Sequence, residues 1–490
     1  MLPFTLFPIL LFLSVIRPTF STNTTEKLRI FILSDILNEP DDSQSLVRYL
    51  LYSNEFQTEG IVATTSTWLP NETHPEAIRE IIRAYGSVVD NLNQHVPGDK
   101  QYSSAKELLS VVFSGPTVYG KQALQNNSTL SPGASHLVKS LKSSNATLHL
   151  PVWGGTNTLA QALQHISRTH SSTEAKTLRS RLRIYTISDQ DDTGPWLRAT
   201  YPDLFYIASR HAWKAYPLAA WTGMSTMALS PAANDSIVQN AWLGRYIQLG
   251  KLGDVYPDIE YTMEGDSPSL LYFIPNGLGH IEKPDWGSWG GRYSPLSDDH
   301  RETQFGDTLD TVYYTSVNNT ETEKSNHATI FRWRSAFQTD FAARMQWTLS
   351  SNYTSARHPP AIRVNGHEGL EPLILHARLN QSFVFDASET LDTDQHDDLQ
   401  FEWYQYQEPS YLPNPGPQSD KRLNIQPLSD GQLVKLNEQG FEDAVRAKKV
   451  RITLPAMQGT EMVDGYHLIL QVSTGGEVPI TRYKRIVLVV

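Results

Sequence analysis

The chain contains no cysteine. That absence rules out disulfide bonds, thiol catalysis and thiolate metal sites, so the folded protein must be held by its own cores. Positive charge is also scarce. Lys and Arg number 41 against 52 Asp and Glu, a formal net charge of -11. This balance argues against nucleic acid as a partner and suits an acidic extracellular setting. Long apolar runs are missing everywhere except at the start, where Leu2 to Ile16 is almost wholly apolar and the small residues Ser21 and Thr22 follow. Residues 1–22 read as a secretory signal peptide, although no Lys or Arg precedes the apolar run. A membrane anchor is the other reading, but the run is short for a span of about 20 residues. The expected product is secreted, with no membrane association after cleavage. Nine Asn-x-Ser/Thr sequons agree with export: Asn23, Asn71, Asn126, Asn127, Asn145, Asn234, Asn318, Asn352 and Asn380.

What is present is organised around Arg29 to Arg48. Ile30 to Leu33 reads as a short buried strand ending in Asp35, and Leu46, Val47, Leu50 and Leu51 follow at helical spacing. Between them Asp35, Glu39, Asp41 and Asp42 gather where the strand's carboxyl end meets a helix start. One reading is a surface capping turn, in which Asp and Asn are common. The other is a hard-cation site, because so many acids in so few residues repel unless a cation joins them.

Further along, strands and helices alternate. Strands are expected at Gly60–Thr67, Thr147–Trp153, Arg183–Ile187 and Leu204–Ala208, and helices at Pro75–Leu92, Ser104–Val112, Thr158–Ser167 and Asp235–Gly250. This alternation argues for an α/β domain with a mostly parallel, doubly wound sheet and helices on both faces. Polar clusters recur after successive strands: the acidic turn, Thr64–Thr67, Trp153–Asn157 and Ser188–Asp192. Each alone could be a turn. In phase they point to a binding site at the carboxyl edge of the sheet. The Gly- and Trp-rich piece Pro275–Tyr293 offers Trp286 and Trp289 either as loop packing or as a stacking wall for a sugar or base. Residues 297–327 read as an irregular surface segment, and His327–Leu349 as an amphipathic core helix.

His358-Pro-Pro360 is a linker signal. Beyond it come short strands and turns (Ser382–Phe385, Leu399–Tyr406, Arg451–Leu454, Tyr466–Val472, Arg485–Val490), the pattern of an all-β, immunoglobulin-like sandwich. The expected layout is a signal peptide over 1–22, an α/β domain over 27–355 and a sandwich over 361–490. The acidic run Asp392–Asp398 reads either as a solvated loop or as a cation site.

These residues resemble a known family. Asp35–Asp42 with its Asn-Glu-Pro-Asp-Asp core, Trp153-Gly-Gly-Thr-Asn157, Ser188-Asp-Gln-Asp-Asp192, Glu264-Gly-Asp-Ser-Pro268, Pro275-Asn-Gly277 and Trp286-Gly-Ser-Trp-Gly-Gly-Arg292 look like the nucleoside hydrolase-like domain of secreted cellulose-binding proteins. The tail is similar to the immunoglobulin-like domain found with it. Among nucleoside hydrolases, the resemblance implies one calcium ion held by Asp35, Asp42, the carbonyl of Trp153 and Asp266, with Asp41 beside them. Asp35 would then take the proton from an attacking water, and Asn157 would hold a sugar hydroxyl. Glu39, Asp189, Asp191, Trp286 and Trp289 are the further candidates for contact with substrate.

The sequence departs from the family pattern in three ways. Five positions, not three, separate Asp35 from the Asp-Asp pair; Glu39 is an extra acid; and Gly265 stands where many members carry a histidine that assists the leaving base. His211, His280 and His300 are the candidates to replace that acid. Two functions follow. One is a calcium-dependent hydrolase of N-ribosyl-like or related glycosyl bonds, acting on a carbohydrate or nucleoside-like molecule. The other is a non-catalytic protein that binds cellulose or plant cell wall and keeps a degenerate cleft, a reading that the exposed-looking aromatics Trp286, Trp289, Tyr293, Trp403, Tyr404 and Tyr406 support. A plain adhesion role for the sandwich is the residual.

Overall fold

The computed structural model describes residues 27–125, 129–211, 215–225, 230–296, 303–317, 319–410, 422–428, 430–456 and 465–490. The expected signal peptide, His300 and the sequons Asn23, Asn126, Asn127 and Asn318 lie outside these residues. The other five sequon asparagines, Asn71, Asn145, Asn234, Asn352 and Asn380, are all exposed. Among the described residues, no helix is long and apolar enough to cross a membrane.

The first domain is built on an eight-stranded sheet. Its strands are β1 (Leu28–Ser34), β2 (Phe56–Ala63), β3 (Val112–Ser114), β4 (Leu148–Val152), β5 (Leu182–Thr186), β6 (Phe205–Ala208), β7 (Tyr293–Pro295) and β8 (Gln304–Asp307), in the spatial order β3-β2-β1-β4-β5-β6-β8-β7. All neighbours run parallel except β7 against β8. The inner strands are apolar on both faces because helices cover both, so they read as continuous rather than alternating runs. From β1 the chain moves outward through β2 to β3, then returns to β4 on the other side of β1 and continues outward. The order therefore reverses between β1 and β4. Loops leaving two neighbouring strands in opposite directions open a crevice at that point, where ligands bind in open α/β sheets.

Several stretches differ from expectation, among them Asp235–Gly250, which is a 3-10 turn (Asp235–Val238) followed by the short helices Asn240–Tyr246 and Gly250–Gly253 and not one helix. Thr64–Thr67 is not strand, and the expected helix Pro75–Leu92 is two helices, Pro75–Gly86 and Val89–Gln94. Residues 303–327, expected to be irregular, supply β8 and a hairpin pairing Asp310–Thr315 with Thr320–Ser325. The second arm of the hairpin, Thr-Glu-Thr-Glu-Lys-Ser, is solvated on both faces. It therefore shows no apolar alternation to read.

The C-terminal domain pairs a six-stranded sheet with a three-stranded one. The larger sheet is covered twice. On the strand Gln400–Tyr406, Trp403 packs in the sandwich interior while Tyr404 and Tyr406 join the core that the two domains share. All three are fully buried, as is Tyr293, which corrects the expectation that they are exposed aromatics. The linker is likewise pinned. His358 stacks on Tyr353 with ring centroids 3.7 Å apart, and its Nδ1 lies 2.6 Å from the Asp394 carboxylate. Asp398 pairs with Arg357 at 2.5 Å, so two of the acids in the Asp392–Asp398 run serve the hinge.

Two buried aspartates fasten the domains. Asp310 accepts from Arg292 Nε (2.6 Å), Arg332 Nη1 (2.8 Å) and the hydroxyl of Tyr406 in the sandwich (2.6 Å). Asp340, on the helix Arg334–Trp347, accepts from Arg344 Nε (3.1 Å), Tyr52 (2.6 Å) and Arg482 Nη1 in the last strand (2.6 Å). Each is a charge removed from water and fully compensated, the condition under which a buried ion pair is tolerated.

Candidate functional site

β1 ends at Ser34, and Asp35 follows at its carboxyl end. The turn that continues the chain holds Leu37 at φ 74°, and the helix Asp41–Tyr52 starts directly after it. The helix is capped at Pro40 without a side-chain hydrogen bond, so Asp41 and Asp42 fall in its first turn. Both are buried, as are Asp35 and Asp266. Burial rules out the surface-capping reading. Ser34 Oγ donates to Asp42 Oδ1 at 2.5 Å, and Asp41 Oδ1 accepts from the Asp42 amide at 3.0 Å.

Asp266 arrives from far along the chain on a loop locked to the same helix. Glu264, at φ 50° and fully buried, pairs with Arg48 through Arg48 Nε and through Nη2 at 3.0 Å. It also accepts from Tyr256 (2.8 Å) and Ser267 (2.6 Å). Trp153 at the end of β4 closes the ring. Its amide donates to the Leu33 carbonyl at 2.7 Å, and its indole Nε1 donates to Ser269 Oγ at 3.1 Å. A Cβ on Gly154 would stand 2.7 Å from Asp35 Oδ1, so only glycine lets this loop approach the acids so closely.

The result is an acidic floor. Oxygens of Asp41, Asp42 and Asp266 lie within 4.8 Å of one another. Asp35 Oδ2 and Asp266 Oδ2 are buried with no hydrogen-bond partner. None of the four carboxylates has a Lys, Arg or His ion-pair partner among the described residues. Burial pushes the Asp35 carboxyl up to about 6. Burial, then the charges of neighbouring acids, pushes Asp41, Asp42 and Asp266 well above the usual carboxylate range. Such a set is unfavourable when ionised without a cation, and its donors are all hard oxygens, so the residues fit a divalent cation. The Trp153 carbonyl oxygen accepts from Gln190 Nε2, which occupies one of its two lone pairs.

Above the floor lies a cleft of ≈ 450 Å³. Glu39 lines it, its carboxyl raised by burial and by Glu260. Its walls are aromatic: Trp68, Tyr216, Trp221 and Tyr261. Trp68 Nε1 donates to the Tyr216 hydroxyl at 2.9 Å, and Trp221 Nε1 donates to Ser188 Oγ at 3.0 Å. Sequence reasoning missed these four. The signal was positional, since Trp68 directly follows the flagged Thr64–Thr67 and Tyr216 and Trp221 follow the carboxyl end of β6.

Several expected residues are placed elsewhere. Trp286 and Trp289 are buried between the domains, not in the cleft. The Trp286 ring lies 5.0 Å from that of His467, and Trp289 Nε1 donates to Tyr483 at 3.2 Å. Asn157 is fully buried and engaged, accepting from Thr64 (2.6 Å) and donating to Thr65 (2.7 Å) and the Val118 carbonyl (2.9 Å). Asp191 accepts from the amides of Asn157 (3.0 Å) and Thr193 (2.8 Å), and Asp189 forms a fork with Arg198 at 2.7 and 2.6 Å. Ser188 and Gln190 face the cleft instead. Ile187 lines it too, so in this bend the side chains that meet the cleft are the neighbours of the two aspartates and not the aspartates themselves.

Of the histidine candidates, His280 packs 5.5 Å from the Trp286 ring, away from the acids. His211 stands behind the cleft wall, its Nε2 2.7 Å from Ser188 Oγ. At Gly265 a Cβ would stand 2.8 Å from Asp41 Oδ2 and 2.9 Å from the Trp221 ring, so the indole crowds out any side chain there.

A mostly parallel sheet, an acidic cleft at its switch point and a docked sandwich define a nucleoside hydrolase-like protein with an appended β domain. The chain matches the family described as "Cellulose-binding Sde182, nucleoside hydrolase-like domain" over residues 29–293, and its tail matches "Cellulose-binding protein Sde0182, C-terminal domain" over residues 382–490. It belongs to this cellulose-binding, nucleoside hydrolase-like family. Among solved structures, it is similar to a nucleoside hydrolase-related hypothetical protein from Saccharophagus degradans that is associated with carbohydrate metabolism. Identity is 26%, the match covers 94% of this chain and 99% of that one, and the TM-score is 0.73. An inosine-uridine preferring nucleoside hydrolase from Bacillus anthracis aligns over 65% of this chain and 99% of its own at 12% identity, with a TM-score of 0.33. No curated protein matches.

Proposed function

We propose that the protein is a secreted, calcium-dependent hydrolase of N-ribosyl-like or related glycosyl bonds that associates with carbohydrate. The observation that carries this is the set of four buried carboxylates without cationic partners among the described residues, at the sheet's switch point and beneath an aromatic-walled cleft. Asp35, Asp42, Asp266 and the Trp153 carbonyl would hold the ion, with Asp41 beside them. Bound calcium would supply Lewis acidity toward a coordinated water and anchor sugar hydroxyls. The chain's own residues do the rest. Asp35 Oδ2, which has no hydrogen-bond partner among the described residues, would accept the proton of an attacking water. The surrounding negative charge favours the positive, oxocarbenium-like transition state. Trp68, Tyr216, Trp221 and Tyr261 exclude water and grip the leaving group's flat face.

A second reading rests on Gly265. With the Trp221 ring crowding that position, no side chain fits there, and among the described residues no imidazole is hydrogen-bonded or ion-paired to Asp266 to protonate a leaving group. A cleft of this kind would retain sugar without cleaving it, leaving a cellulose- or wall-binding protein. The exposed sequons support export as a glycoprotein in either case.

Calorimetric titration of calcium into the mature, metal-stripped protein tests the proposal, with Asp42→Asn as control. The expected result is one tight site lost in the variant, with turnover of ribonucleosides or p-nitrophenyl glycosides that requires calcium. A well-folded wild type that binds no calcium would remove the hydrolase mechanism. Calcium binding without turnover of any of these substrates would leave the binding protein.

A further inference from the structure

A second cavity, of ≈ 440 Å³, lies in the groove where the two domains meet. This volume is within the range of small-ligand sites. Neither domain builds it alone. The α/β side contributes Trp242 and Tyr246 from the helix Asn240–Tyr246, both half-buried, with ring centroids 5.0 Å apart. The sandwich side contributes planar hydrogen-bonding groups: Glu402, Glu438, Gln439 and Gln471. Two features mark it as a built site rather than a seam. Gln439 is only 3% exposed, yet its Oε1 has no hydrogen-bond partner, a costly arrangement in a folded chain. Several of the other groups are already held in place. Arg446 Nε and Asn437 Nδ2 donate to Glu402 at 3.0 and 2.9 Å, and the Tyr246 hydroxyl donates to Glu477 at 2.6 Å.

Aromatic rings beside carboxylates and amides suit a neutral sugar, which offers C–H faces to the rings and hydroxyls to the planar groups. The excess of glutamate over arginine disfavours an anionic ligand. We infer that this groove is a glycan-binding site, separate from the acidic cleft, that takes a neutral pyranose chain. The inference rests on the carbohydrate half of the proposed function and gives it a location; it requires neither calcium nor hydrolysis. Two sources share that chemistry. One is a cellulose chain. The other is the core of an N-glycan on the protein itself, since the exposed sequon Asn234 lines the same groove.

The test is titration of cellohexaose into the full mature chain from a secretory host, alongside Asn234→Gln, followed by calorimetry. In the Asn234→Gln background, Trp242→Ala and Gln439→Ala should each weaken binding at least tenfold with unchanged thermal midpoints. Trp242→Phe should retain most of the affinity, which separates loss of a stacking face from loss of fold. If only the Asn234→Gln protein binds, the groove is a glycan site occupied by the chain's own sugar, which supports the inference. Binding undiminished in Trp242→Ala and Gln439→Ala, or lost in Asp42→Asn instead, would overturn it. So would failure of every form to bind cellohexaose. If insoluble cellulose were still retained, the carbohydrate reading would survive without the groove; if neither were bound, both would fall.

Discussion

Asp310→Ala tests whether the two domains are one cooperative structure. The aspartate is fully buried and serves two guanidiniums and the Tyr406 hydroxyl. Its removal leaves Arg292 and Arg332 buried, with Glu408, 3.5 Å from Arg332, as the one remaining carboxylate partner among the described residues. Breaking a buried pair from one side costs about 3–5 kcal/mol, because the stranded charge cannot reach water. For a chain of 490 residues the unfolding entropy is roughly 1 kcal/mol per kelvin, so the midpoint should fall by about 4 °C. Scanning calorimetry on wild type, Asp310→Ala, Tyr406→Phe and the double variant gives the result. Wild type should show one transition. Tyr406→Phe alone should cost about 1 kcal/mol, and the double variant should fall short of the sum, because the two residues share a bond across the interface. Two separate transitions in wild type, or a shift in Asp310→Ala below 1 °C, would refute the reasoning. The pH dependence adds a sign check. Burial alone would raise the Asp310 carboxyl, but Arg292 and Arg332 outweigh it and hold the group below the usual carboxylate range. The contribution is therefore present above the unfolded-state pKa and lost as pH falls through the lower, folded one.

The remaining predictions concern the site and the core. Without calcium, Asp266→Asn should be at least as stable as wild type, since it relieves repulsion among Asp41, Asp42 and Asp266. Calcium at about a thousand times its dissociation constant should stabilise wild type by about 4 kcal/mol and leave Asp266→Asn unmoved in thermal melts. Glu264→Gln should lower stability by about 3 kcal/mol by stranding Arg48, and should weaken calcium binding measured by calorimetry although Glu264 is not one of the ligand carboxylates. Burial pushes His149 down to about 4. The unfolded chain therefore takes up the proton first, and stability should fall by about 3 kcal/mol as pH drops from about 6.5 to 4. Melts of His149→Gln across that range should lack this component.

The sequence by itself determined the class of fold and the part of the site's floor that follows the first strand. Alternating apolar and amphipathic segments specify a doubly wound sheet. Acids following a buried strand at Asp35, Asp41 and Asp42 mark its carboxyl edge, because local periodicity and strand-end chemistry are short-range properties. Tertiary structure decided which side chains share a space. Asp266 and Trp153 were placed beside those acids only by family resemblance; geometrically, their arrival depends on Glu264 gripping Arg48 and on the absence of a Cβ at Gly154. The cleft's aromatic walls come from three separate loops. Trp286, Trp289, Tyr404 and Tyr406, indistinguishable in sequence from stacking residues, are interface core because the six-stranded sheet is covered on its second face. Composition records that a side chain is aromatic. Whether it meets solvent, substrate or another domain depends on contacts between residues hundreds of positions apart.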